Sequence, residues 1–198
     1  MLGGAFNPPH IGHLVLAQEA ASQLGLDRVV LMPTGEAPHK RIEPEPGREV
    51  RLELARLAAR DDPMLEVSDY EVMAAGPSYT ARTLEWLRAE RPGDEFFFLM
   101  GADVAAHIES WHEPRRVVEL AGLAIAGRPG AVLDEAEAAL ERLGALDRTE
   151  VVRMPEIGVS STGVRRRVAE GWPIRYLVPE PVREMIAATG LYRESVRA

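Results

Sequence analysis

The run Glu-Phe-Phe-Phe-Leu-Met at residues 95–100 restricts the fold more than any other feature, together with Val-Val-Leu-Met at residues 29–32. Neither run alternates apolar with polar residues. A strand with one wet face alternates, whereas a strand that is apolar throughout is covered on both sides, as in a parallel sheet between two layers of helix. Helical spacing surrounds these runs at residues 14–24, 49–59, 78–91, 114–120, 135–143, 161–170 and 180–189. Gly25 and Gly190 stand where two of these helices should stop, and Ser78 stands where one should be capped. Further strands are expected at residues 65–68, 123–126 and 150–153, with 70–72 as another candidate. The alternation of strand and helix implies an α/β protein, a doubly wound parallel sheet of Rossmann-like type with helices on both faces. Ligands in such sheets lie beyond the carboxyl ends of the strands. Gly3, Thr34, Gly101 and Ser160 each follow a strand position and are expected to converge on one crevice.

A chain of 198 residues with 46% apolar content suits one domain over residues 1–198. The net charge of −8 argues against a nucleic-acid binder or a membrane-surface protein, both of which usually present a basic face. The absence of cysteine removes disulfides and thiolate metal sites. No apolar run approaches the roughly 20 residues that cross a bilayer, and the N-terminus lacks a signal-peptide pattern. A cytoplasmic protein is expected, with homo-oligomerisation left open.

Five segments carry candidate chemistry. Residues 3–13 read Gly-Gly-Ala-Phe-Asn-Pro-Pro-His-Ile-Gly-His. Gly3 and Gly4 let backbone approach a phosphate, and His10 and His13 flank Gly12 at a helix start, where N–H groups and the helix dipole favour an anion. Their imidazoles are donors that are charged or neutral near pH 7. With no cysteine or acidic partner nearby, they make a poor transition-metal site. Residues 159–167, Val-Ser-Ser-Thr-Gly-Val-Arg-Arg-Arg, place Ser160 and Ser161 at a helix start and Arg165 one turn on, where its guanidinium can fork onto a phosphate. His39 and Lys40 lie in the long breaker-rich loop 34–48. Ser78, Tyr79 and Thr80 open a helix. Gly101 and Asp103 follow the apolar strand, and Trp111 is available to stack on a planar ring.

The first two segments resemble the His-x-Gly-His and Ile-Ser-Ser-Thr-x-x-Arg signatures of the nucleotidyltransferase α/β phosphodiesterase superfamily. Pro-His-Lys at 38–40, Ser-Tyr-Thr at 78–80 with Thr-Leu at 83–84, and Gly-Ala-Asp at 101–103 with Trp111 resemble bacterial nicotinate-nucleotide adenylyltransferases. The likeness runs from Gly3 to about Tyr192. It implies adenylyl transfer from ATP to nicotinate mononucleotide, giving deamido-NAD and pyrophosphate, with Mg²⁺ accompanying ATP. It further implies that His10, His13 and Arg165 are catalytic, and that Gly3, Gly4, Ala5, Phe6, Gly101, Asp103, Ser160 and Ser161 join them around ATP. His39, Lys40, Tyr79, Thr80 and Trp111 would hold the pyridine nucleotide. Relatives with another acceptor (nicotinamide mononucleotide or phosphopantetheine) and a nucleotide-binding regulator without turnover are the alternatives. The chain departs from the family pattern at Ala5, where threonine or serine is usual, at Asn7, where aspartate is common, and at Arg82, where an acidic residue is common.

Overall fold

The computed structural model describes residues 1–38, 44–127 and 131–193, with side chains from 133 in the last segment. Six strands form one all-parallel sheet: β1 (Leu2–Gly4), β2 (Val29–Pro33), β3 (Leu65–Val67), β4 (Phe97–Gly101), β5 (Gly122–Ala126) and β6 (Thr149–Val152). Their order across the sheet is β3-β2-β1-β4-β5-β6. The chain therefore reverses direction of travel between β1 and β4, and a crevice opens beyond their carboxyl ends.

The two apolar runs divide between the faces as a buried strand must. Val30, Met32, Phe98, Met100 and Ile125 point into one core, completed by α4 (Thr80–Glu90), α6 (Pro114–Leu120) and α7 (Ala131–Leu143). Val29, Leu31, Leu99 and Ala124 point into the other, under α1 (Ile11–Leu24) and α2 (Arg48–Ala59). A third, smaller cluster joins α2 to α8 (Ser161–Ala169) and α9 (Glu180–Thr189) through Leu54, Val164, Val182 and Ile186.

Several local expectations change. Residues 70–72 are not a strand but the start of α3 (Tyr70–Met73). The ladder ends at β3, and Tyr70 instead stacks on Trp86 at 4.1 Å between ring centroids. Ser78 is not the cap of α4; Tyr79 holds that position with extended backbone, and the Ser78 hydroxyl accepts from Gly35 N–H. α1 begins three residues earlier than its apolar spacing implied, so Gly12 and His13 lie in its first turn. A short helix, α5 (Ala102–Ala105), and a 3₁₀ turn at Ile108–Ser110 fill the span between Gly101 and Trp111, where no element was expected.

Candidate active site

The chain leaves β1 at Gly4 and turns through residues 5–10 into α1. Phe6 takes a left-handed backbone (φ 48°) and buries its ring, edge-on to His13 at 5.1 Å. His10 is the extended residue before α1, and its backbone N–H donates to His13 Nδ1 at 3.1 Å. An accepting Nδ1 on a neutral ring leaves the proton on Nε2, so His13 presents a fixed N–H donor. The two imidazoles lie 3.8 Å apart, tilted by 31°. Burial lowers His10 to a pKa of about 4 and His13 to about 3, with the neighbouring His10 lowering His13 further. Both rings are therefore neutral at pH 7 in the free protein, although sequence alone left the charge open. Nδ1 of His10 is buried without a hydrogen-bond partner, a polar atom that a ligand can satisfy.

These depressed values have a consequence for stability. The unfolded chain, with histidines near 6.5, binds more protons than the folded one between about pH 6.5 and the folded values, so folding stability falls as pH falls through that window. Thermal melts from pH 7 to pH 4 should show a drop in Tm that is smaller in His10→Asn/His13→Asn. An identical pH slope in the double variant would show that the rings are not buried neutral.

The second phosphate-binding candidate sits on α8. Ser160 is its N-cap, with Oγ accepting from Gly163 N–H at 3.1 Å. Ser161 is the first helical residue instead of a cap, and its hydroxyl donates to Pro8 O at 2.8 Å. Arg165 donates through Nη1 to Asn7 O at 2.7 Å and through Nη2 to Thr162 Oγ1 at 3.2 Å. Two segments, separated by |i−j| = 153 and 158 at these contacts, thus meet on the 5–8 turn. The N-terminus of α1 is partly occupied already, because Ile11 N–H donates to Leu177 O at 3.0 Å.

Beside this corner, a cavity of about 330 Å³ is lined by Gly3, Gly4, Glu71, Tyr79, Thr80 and Trp111, among others. A Cβ on Gly3 or Gly4 would meet only ordinary contacts at 3.4 Å or more, so the protein itself does not demand glycine there; the missing side chains leave room. Trp111 stands edge-on to Phe98 at 5.6 Å, and Tyr79 stacks on His112 at 4.1 Å. Gly101 ends β4 next to β1, and Asp103 is exposed on α5. His39 and Lys40 lie outside the described residues.

Sequence reasoning missed the residues that join these parts. Arg51 is fully buried on α2, where Nη1 donates to Ala5 O at 3.0 Å and to Thr34 O at 2.6 Å. Its Nη2 donates to Gly35 O and its Nε to Glu45 Oε1, each at 3.0 Å. Position 5 thus contributes its carbonyl to Arg51, a role open to alanine. Asn7 donates through Nδ2 to Pro44 O at 2.8 Å and accepts at Oδ1 from the Tyr192 hydroxyl at 2.6 Å. An aspartate there could accept but not donate, so the amide serves both contacts. Burial pushes the Tyr192 phenol up, which keeps it protonated and donating. The signal for Arg51 was present: Arg51, Ala55 and Ala59 form an i, i+4, i+8 row, a long cation on an otherwise small, apolar face.

A parallel sheet with this strand order and paired histidines at the first helix start define a nucleotidyltransferase-type protein, and the cytidylyltransferase-like family model matches residues 1–167. The chain is 42% identical over 194 residues to the probable nicotinate-nucleotide adenylyltransferase of Roseiflexus sp. (strain RS-1), covering 98% of this chain and 96% of that protein. It is 41% identical over 193 residues to the protein of that name in Thermus thermophilus, covering 98% of each. The chain belongs to the nicotinate-nucleotide adenylyltransferase family. The fold also matches the Plasmodium falciparum nicotinic acid mononucleotide adenylyltransferase complexed with NaAD, with a TM-score of 0.77 and 17% identity over 96% of this chain and 95% of that one.

Proposed function

We propose that the chain transfers the adenylyl group of ATP to nicotinate mononucleotide, releasing pyrophosphate and forming deamido-NAD. The observation that carries this reading is the joining of the two phosphate-binding candidates on one turn, through Ser161 to Pro8 and Arg165 to Asn7, beside a cavity edged by Trp111. A phosphate oxygen of the acceptor attacks the α-phosphorus of ATP, and the bond from that phosphorus to the α,β-bridging oxygen breaks. The attacking oxygen is already ionised at pH 7, so no strong base is required. Catalysis becomes alignment and charge stabilisation.

In this reading His13 donates Nε2–H to the phosphates, and His10 satisfies its unpartnered nitrogen on the same group. Arg165 and the start of α8 hold the triphosphate, with Ser160 and Ser161 fixing that helix end. Gly3, Gly4 and the backbone of Ala5 and Phe6 form the floor, and Gly101 and Asp103 border the adenosine. Trp111 stacks on the pyridine, Tyr79 and Thr80 meet its carboxylate, and His39 and Lys40 reach from the loop. Among the described residues no group of three or more histidine, cysteine, aspartate or glutamate side chains is gathered to hold a metal. In this reading Mg²⁺ accompanies ATP and is carried largely on its phosphate oxygens. None of the described helices is long and apolar enough to cross a membrane.

The test is pyrophosphate release with a panel of acceptors: nicotinate mononucleotide, nicotinamide mononucleotide and phosphopantetheine. Equal or better kcat/KM with either of the latter overturns the acceptor, and ATP binding without any turnover overturns the enzyme. Trp111→Ala should raise KM for the preferred nucleotide about tenfold, on the scale of one aromatic–ring stack, with kcat changed far less. An unchanged KM would leave Trp111 as a packing residue of Phe98.

A further inference from the structure

Glu71 is a buried carboxyl group in the wall of the acceptor cavity, 7% exposed. No cation among the described residues pairs with it; its partners are hydroxyls. Thr83 Oγ1 donates to Glu71 Oε1 at 2.6 Å, and the nearby Ser78 hydroxyl also favours the ionised carboxyl. The Ser78 hydroxyl accepts from Gly35 N–H, and a side chain at Gly35 would collide with the Glu71 carbonyl. These contacts clamp the turn that leads into Tyr79 and Thr80. Thr83 has a second acceptor in reach, Tyr79 O at 3.3 Å, but only one hydrogen. The network is therefore complete in two states. An ionised Glu71 accepts from Thr83, whereas a protonated Glu71 donates to Thr83, which then donates to Tyr79 O.

We propose that Glu71 is a specificity-determining positioning residue, which holds the Ser78–Tyr79–Thr80 turn and, by taking up a proton, admits an acceptor whose ring carries a carboxylate. This rests on the acceptor reading above. Burial pushes the carboxyl up from the ordinary carboxylate range, while the Thr83 and Ser78 donors pull it down. A second negative charge in the cavity pushes it up further, so binding of the acid acceptor draws in a proton.

The charged and titratable groups around it have other partners or are common to both acceptors. On its own element, Asp69 pairs with Arg56 of α2 and Tyr70 stacks on Trp86. Arg51 of α2 is held by Glu45 and three carbonyls. Glu36, beside Ser78, takes part through its backbone carbonyl. Tyr79 and His112 stack on each other. The acceptor's own phosphate titrates near pH 6 but does so in both nucleotides.

The experiment is the ratio of kcat/KM for nicotinate over nicotinamide mononucleotide from pH 6 to 8.5, in wild type, Glu71→Gln and Glu71→Leu. The wild-type ratio should fall at least about fivefold as pH rises, and Glu71→Gln should flatten it at the low-pH value. Glu71→Leu, which loses the clamp, should raise the acceptor KM about tenfold while the ATP KM stays within about twofold; glutamine should rescue most of that loss. Calorimetry in buffers of different ionisation enthalpy should show more proton uptake with the acid nucleotide than with the amide at pH 8. A flat wild-type ratio, a Gln profile that tracks wild type, or equal proton uptake overturns the proposal. Absence of wild-type turnover with either nucleotide removes the acceptor reading itself, and this inference with it.

Discussion

Replacing His13 with alanine is expected to lower kcat by about 10²–10³-fold, the scale of one lost charge-stabilising donor in a water-poor site. The reason is geometric. His13 Nδ1 is occupied by the His10 backbone N–H, so its Nε2–H has one orientation and needs no rearrangement when charge builds on the α-phosphate. The ring is neutral in the free protein because burial holds its pKa at about 3. Bound phosphate oxygens act in the opposite sense and strengthen the donor as the reaction proceeds. KM for ATP should rise far less than kcat falls. Alanine loses the edge contact with Phe6, the stack on His10 and the acceptor for the His10 N–H at a half-buried position, so Tm should move by a few degrees. Burst and steady-state pyrophosphate assays measure the first, and thermal denaturation the second. Turnover within fivefold of wild type would remove His13 from the reacting group.

The second large effect is on stability. Arg51→Met should destabilise the protein by about 3–5 kcal/mol, because it strips a buried charged donor from three main-chain carbonyls and from Glu45 at once. For a chain of this size that corresponds to a Tm loss of roughly 10 °C. Arg51→Lys should recover only part, since one ammonium cannot reproduce a planar fork that spans Ala5, Thr34 and Gly35. On the proposed function the same variants should weaken ATP binding, because Ala5 O belongs to the turn proposed to meet the phosphates. Denaturation of Arg51→Met within about 1 kcal/mol of wild type would show that water replaces the guanidinium.

The parts of the molecule legible in the sequence are those whose signals are local. Phe98, Leu99 and Met100 have no polar neighbour to turn outward, and that alone marks a strand covered on both sides. Gly25 and Gly190, both at positive φ, end their helices where the pattern said they would. His10, His13 and Arg165 lie in short motifs, and their segments meet. Tyr70 and Val72 misled because three residues of alternating apolarity fit a strand or one helical turn equally; the stack on Trp86 decided it. Arg51, Glu71 and Tyr192 were not found. The small apolar row marked Arg51 as buried but not its partners; Tyr192 meets Asn7 across 185 residues, and Glu71 meets a hydroxyl 12 residues on that no spacing rule ties to it. The neutrality of the histidines was illegible for a related reason, since it follows from burial by the Phe6 turn and not from any spacing.

The nucleotide corner is finished by residues made late. Leu177 O receives the first N–H of α1, and the Tyr192 hydroxyl fixes Asn7. A growing polypeptide can assemble the sheet before this, but the 5–8 turn gains its tie to Tyr192 only after the whole chain has left the ribosome, so the turn proposed to hold the triphosphate is among the last parts of the fold to be fixed.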